Sequence, residues 1–254
     1  MADEIEQAGV WLAQHGLASE RATPLIAARL TVRRRAGIAA SVLLALFLIV
    51  VALVYTLTLR DEAHPSTSLL YLSAAVIALV AGLALIDRQV RRADRRAAAT
   101  LVRRVAHPGR LGWRTVLGLP RAVFAVVTFA GALVAAICAL PGIEAAILLI
   151  GLCGVAAGMG VQLRHLLTHP AVADDEVSLT ADAIMRVEDA RNLAAPTVVW
   201  CLPVVSLLAA VPGWWTAAWL VFIVLGTVAL IVINARTPSS GTVARLAMGV
   251  TVNP

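Results

Sequence analysis

Two histidines four residues apart, His165 and His169, open the stretch of this 254-residue chain that is richest in metal-ligating side chains. On a helix that spacing puts both rings on one face. Asp174, Asp175, Glu176, Asp182, Glu188 and Asp189 follow, and carboxylates of this kind complete zinc or iron shells. The pattern stops short of a metal motif: no Cys-x-x-Cys or His-Glu-x-x-His accompanies it, and Pro170 ends the helix directly after His169. The two histidines are therefore expected to be structural or to contact headgroups, with no metal and no other cofactor. Cys138, Cys153 and Cys201 sit in apolar surroundings, where a free thiol behaves as a small hydrophobe. Paired catalytic carboxylates and a Ser-His arrangement are missing, no lysine occurs, and a non-enzymatic protein is expected.

The elements that carry these residues are dictated by composition. Hydrophobic residues make up 60% of the chain and its mean hydropathy is +0.87, well beyond a soluble domain. Six apolar stretches, 36–59, 68–86, 122–140, 143–161, 193–211 and 214–233, have 19 to 24 residues each. At about 1.5 Å rise per residue, about 20 residues cross the roughly 30 Å hydrocarbon core. The stretches are continuously apolar and do not alternate, so the expected fold class is all-α, a polytopic bundle of six transmembrane helices and not a barrel. The first stretch begins at residue 36 and lacks a small-x-small cleavage site, so it is expected to stay in the chain.

All 21 basic residues are arginines, and they lie almost entirely outside these stretches. Segment 87–121 has ten Arg and two Asp, net +8, whereas loop 60–67 sets Arg60 against Asp61 and Glu62. The positive-inside rule then puts both termini and loops 87–121 and 162–192 on the cytoplasmic side of the membrane. Tyr55, Tyr71, Trp214 and Trp215 fall at the outer interface, where amphipathic rings prefer to sit. Residues 1–35 read as interfacial helices and 235–254 as a cytoplasmic tail. Inside the spans no ionisable group lies near a bilayer centre, which disfavours a proton- or voltage-driven secondary transporter.

Three- and four-residue spacing of Val90, Ala93, Ala97, Leu101 and Val105 predicts that the second span continues as a basic helix to His107-Pro108-Gly109. Its arginines, Arg91, Arg92, Arg95 and Arg96 among them, suit anionic lipid headgroups; basic charge without a motif gives no case for nucleic acid. Residues 162–195 carry net −3 on the same face. Ser178 or Thr180 is expected to cap a short helix with Asp182 and Arg186 at the favourable i,i+4 spacing. This acidic helix, with Asp174, Asp175 and Asp182, is expected to dock on the basic one. Gly151, Gly154 and Gly158 make a flat strip in the fourth span, a contact seam within the bundle or in a homodimer. In the fifth, Pro196 suits the first turn and Pro203 predicts a kink near Val199. In the N-terminal segment His15-Gly16 reads as a glycine cap and Thr23-Pro24 as the start of a second helix.

Six spans, internal termini, an interfacial lead-in helix and a cytoplasmic helix after the second span resemble the permease subunit of an ABC-2 type exporter. Pro212-Gly213 departs from that layout, since such permeases carry an outer re-entrant element there. The stretch His169-Pro170-Ala171-Val172-Ala173-Asp174-Asp175, followed by Ala181-Asp182 and Arg186, is similar to segments of uncharacterised multi-pass membrane proteins of actinobacteria. The resemblance implies a transport or export component served by a cytoplasmic ATPase that touches residues 88–108 or 174–191. A membrane scaffold or accessory subunit in contact with another membrane subunit is the alternative.

Overall fold

The computed structural model describes residues 2–60, 65–99, 112–139, 143–171, 173, 175–208 and 213–248, which contain helices and no strand. In chain order the helices are α1 (Ala2–Gln14), α2 (Pro24–Leu59), α3 (Pro65–Ala99), α4 (Trp113–Val116), α5 (Leu119–Cys138), α6 (Ile143–Thr168), α7 (Glu176–Leu193), α8 (Thr197–Cys201), α9 (Gly213–Arg236) and α10 (Ser240–Ala247). Two 3-10 segments join them, Ser19–Arg21 and Leu202–Leu208. Five of these helices, α2, α3, α5, α6 and α9, are long and apolar enough to cross a membrane. The chain is a multi-pass membrane protein. Pro141-Gly142 and Pro212-Gly213 read from the sequence as tight turns between spans; Pro141, Gly142 and Pro212, like the expected helix stop at His107-Pro108-Gly109, lie outside the described residues.

Local chemistry explains the helix ends. Gly16 adopts φ +72°, Leu17 N–H donates to the Leu12 carbonyl and Gly16 N–H to that of Ala13, the paired bonds of a glycine-closed C-terminus. Thr23 accepts from Ile26 N–H at 3.4 Å and Pro24 opens the next helix, where its missing N–H has no intrahelical acceptor to serve. From there α2 runs 36 residues without a break through Arg33, Arg34 and Arg35, so the interfacial lead-in and the first span are one rod.

Large apolar side chains face outward. Ile38, Val42, Leu46, Ile49 and Leu53 are more than half exposed along one face of α2, and Leu220, Val224, Val228 and Ile231 do the same on α9. Lipid tails are as apolar as these side chains, so close packing and hydrogen bonds, not exclusion from water, hold such a bundle together. Its centre is built from Phe47 and Val51 of α2, Leu72, Val76 and Leu79 of α3, Ala132 and Ala136 of α5, and Leu148 and Leu152 of α6. Glycines let the rods approach: a Cβ on Gly82 would lie 2.5 Å from Leu43 Cδ2, and one on Gly131 2.5 Å from Phe222 Cζ.

Two expectations need correcting. The stretch 193–211 is not one long kinked helix: α7 ends at Leu193, Pro196 caps α8, and after five residues the chain tightens into the 3-10 segment Leu202–Leu208. Pro203 has no N–H to return to the Val199 carbonyl, so the α ladder cannot pass it. Val199, Leu202 and Val205 are nonetheless fully inside the bundle. Trp215 is the second correction. Tyr55, Tyr71 and Trp214 are exposed, but Trp215 is 2% exposed and its indole Nε1 donates to the Ala135 carbonyl at 2.9 Å. That bond ties the start of α9 to the end of α5, while Arg121 Nη2 at the start of α5 donates to Asn234 Oδ1 at the end of α9. The two helices therefore run antiparallel.

Candidate functional site

Helix α7 is the most polar long helix in the chain and also the most enclosed. Asp175 is its cap: its Oδ1 accepts from Ser178 N–H at 2.7 Å, and Ser178 Oγ accepts from Asp175 N–H at 3.0 Å. Ser178 is thus the third residue of a capping box and not the cap itself, and Asp175 spends its carboxylate on α7, not on α3. Leu179, Ala181, Ala183, Ile184, Met185 and Val187 are buried on several sides at once, since α1, α6 and α10 all pack around this helix.

Three guanidiniums and three carboxylates meet at this end of the bundle. Arg29, 4% exposed, donates from Nε to Asp94 Oδ1 at 3.0 Å and from Nη2 to Asp182 Oδ1 at 2.5 Å. Arg33 donates to Asp94 at 3.0 Å and to Asp189 at 2.9 Å. Arg186 Nε takes the other oxygen of Asp182 at 2.8 Å, the i,i+4 pair that the spacing predicted. Its remaining donors close the last turn of α6, on the carbonyls of His169 at 2.7 Å and Pro170 at 2.8 Å. The six charges balance, and α2, α3, α6 and α7 are joined in one lattice. Burial pushes the Asp189 carboxyl above the usual carboxylate range, against the pull of the Arg33 guanidinium bonded to it.

The acidic and basic segments therefore meet through Arg29 and Arg33 of α2, which bridge Asp94 of α3 to Asp182 and Asp189 of α7; of these, spacing singles out Asp182 alone. Arg91 donates to Gln162 Oε1 at 2.7 Å, and Arg92, Arg95 and Arg96 point outward, with no ion pair to α7 among the described residues. The reason is helical register: Val90 and Asp94 share the buried face of α3, which leaves positions 92, 95 and 96 on the outside. Asp174 lies outside the described residues. Most of the surface of α7 is enclosed, whereas the basic face of α3 at Arg92, Arg95 and Arg96 is exposed. A signal for the missed lattice was present in the chain: Arg29 interrupts the apolar run Leu25, Ile26, Ala27, Ala28 and Leu30, and Asp94 stands alone among arginines.

The rings of His165 and His169 lie 4.7 Å apart, centroid to centroid. Among the described residues no third His, Cys, Asp or Glu joins them in a group able to hold a metal ion.

Beside the lattice lies a cavity of about 310 Å³, lined by residues of α2, α3, α6, α7 and α8. Arg33, Asp87, Gln162, Asp189 and Asn192 form its polar end, and Ala40, Val80, Leu83, Val155, Met159 and Val198 its apolar wall. The glycine strip divides by role here. A Cβ on Gly154 would stand 2.7 Å from Val80 Cγ1, and one on Gly151 2.8 Å from Val76 Cγ1, so both form the seam between α6 and α3. Gly158 has nothing within 4 Å of such an atom and forms part of the cavity wall.

No known family model, curated protein or solved structure matches this chain. The chamber is mostly apolar with one polar end, a lining that suits a small amphiphile with its apolar body along α3 and α6 and its polar head against Gln162 and Asn192.

Proposed function

We propose that this chain is the membrane component of a transport or export system in a bacterial cytoplasmic membrane, with the 310 Å³ cavity as the seat of a small amphiphilic solute. The cavity carries the reading. It combines an apolar wall inside the bundle with charged and amide groups at its mouth, and it borders α8, where the helix is broken. Broken helices at solute sites are a recurring device of transporters, because they present backbone groups and leave a segment free to shift.

Six crossings with both termini in the cytoplasm is the topology this reading takes, and parity supports it. Arg245 of α10 donates to the His15 carbonyl at the end of α1, and both helices pack on α7, which supports placing α1 and α10 on one side of the membrane. An even number of crossings would fit that arrangement, and the passage Thr197–Leu208, with Val199, Leu202 and Val205 buried, is the candidate for a sixth beside the five long helices. The arginine excess at this end argues for the cytoplasmic side. A soluble ATPase would find the exposed face of Arg92, Arg95 and Arg96, which equally suits anionic headgroups. A scaffold or accessory subunit is the second reading, favoured by the charge lattice that clamps four helices together.

Gly158→Leu tests the solute site, since its side chain enters open space and should leave the fold intact. Protein taken from native membranes in lipid discs and weighed by native mass spectrometry is expected to carry a small molecule that the variant lacks, at the same melting temperature. An identical set of bound molecules in both would overturn the reading.

A further inference from the structure

A second chamber, about 510 Å³, lies on the other side of the turn between α7 and α8 and is lined by Arg121, Phe124, Glu188, Arg191, Leu230 and Asn234, among others. Arg121 is 8% exposed. Its Nη2 is bonded to Asn234 Oδ1 at 2.5 Å, but its Nη1 is buried with no partner. Arg191 repeats the pattern: Nη2 donates to the Pro238 carbonyl at 2.8 Å and Nε is buried with no partner. Neither guanidinium is ion-paired among the described residues. Glu188 is the carboxylate in the chamber, and its Oε1 already accepts from His15 Nε2 at 2.8 Å and Ser240 Oγ at 3.3 Å. Arg191 is held below its ordinary pKa by burial and then by the charge of Arg121, with Glu188 opposing.

Two positive groups sharing a chamber, each with a spare buried N–H, make an arrangement that is costly when empty and matched to an oxyanion, which accepts from several guanidinium donors at once. We propose that this chamber binds a phosphate group, paired with the Arg121 and Arg191 guanidiniums that line it, a side-chain adjustment turning their unpartnered N–H groups onto its oxygens. Phosphate is favoured over a lone carboxylate because its oxygens can take both guanidiniums and still reach Asn192. The phosphate comes either from an anionic phospholipid entering past Leu230 of the lipid-facing α9 or from solution as inorganic phosphate.

The full chain in lipid discs distinguishes the two. Inorganic phosphate added to discs of phosphatidylcholine is expected to raise the melting temperature if the free ion is the ligand. Retention of phosphatidylglycerol, read by native mass spectrometry from mixed discs, is expected if the headgroup is. In either case Arg191→Gln weakens the response about tenfold or more, while Arg191→Lys keeps part of it. Arg191 is the more exposed of the pair and its loss spares the fold; Arg121→Gln serves as the second variant. No response to either phosphate source in the parent chain, or an equal response in Arg191→Gln, overturns the proposal.

Discussion

Arg29→Met destabilises the folded chain by on the order of 3–5 kcal/mol, because it takes one of the charged partners from each of two buried carboxylates and not from one. Asp182 is 2% exposed and Asp94 7%, and both receive a hydrogen bond from Arg29. Arg33 and Arg186 still hold each of them from the other side, which keeps the loss finite. The check is thermal or denaturant unfolding in detergent, followed through the tryptophans. Because the pairs are buried, the loss should persist at high salt, where a surface pair would fade. The double variant Arg29→Met/Asp94→Leu is expected to be less destabilised than the sum of the two single changes, since removing both partners avoids the orphaned charge. Additive losses would mean that the lattice is a set of independent contacts.

Gly154→Leu is expected to prevent assembly of the bundle. Its first added atom would already stand 2.7 Å from Val80 Cγ1 and 3.3 Å from Val80 Cγ2, so the β-branched Val80 must shift before the three carbons beyond can be placed. The seam must open to accept them, and overpacking of this kind costs about 1–3 kcal/mol or more even in cores that can adjust. The same substitution four residues on, at Gly158, meets open space and should be tolerated. Expression and gel-filtration profiles of the two variants side by side check the difference. Equal behaviour would mean that the seam between α3 and α6 is not where the helices touch.

What could be read from the chain was local. The Gly16 cap, the Thr23-Pro24 start and the Asp182–Arg186 pair depend on residues within one or two turns, and each stands where spacing put it. The charge lattice was hidden for the opposite reason: Arg29 finds Asp182 across 153 residues and Arg33 finds Asp189 across 156, distances over which no periodicity speaks. Trp215 shows a second limit. In a soluble helix an apolar stripe marks the buried face, but in lipid both faces of α9 are apolar, so nothing in the pattern separates Trp214 outside from Trp215 inside. Pro203 announced a disturbance, and the 3-10 winding that resulted is a product of that proline within a passage packed tightly against Gly151.

The central claim is a solute cavity open at the end of the bundle where both termini lie. Cysteine accessibility tests it most directly. With Cys138, Cys153 and Cys201 replaced by serine, Gly158→Cys places a single thiol in the cavity wall. A membrane-impermeant maleimide is expected to label it in sealed vesicles only when added on the face that also exposes tags at the two ends of the chain. Labelling from the opposite face, or none until the protein is denatured, would contradict it.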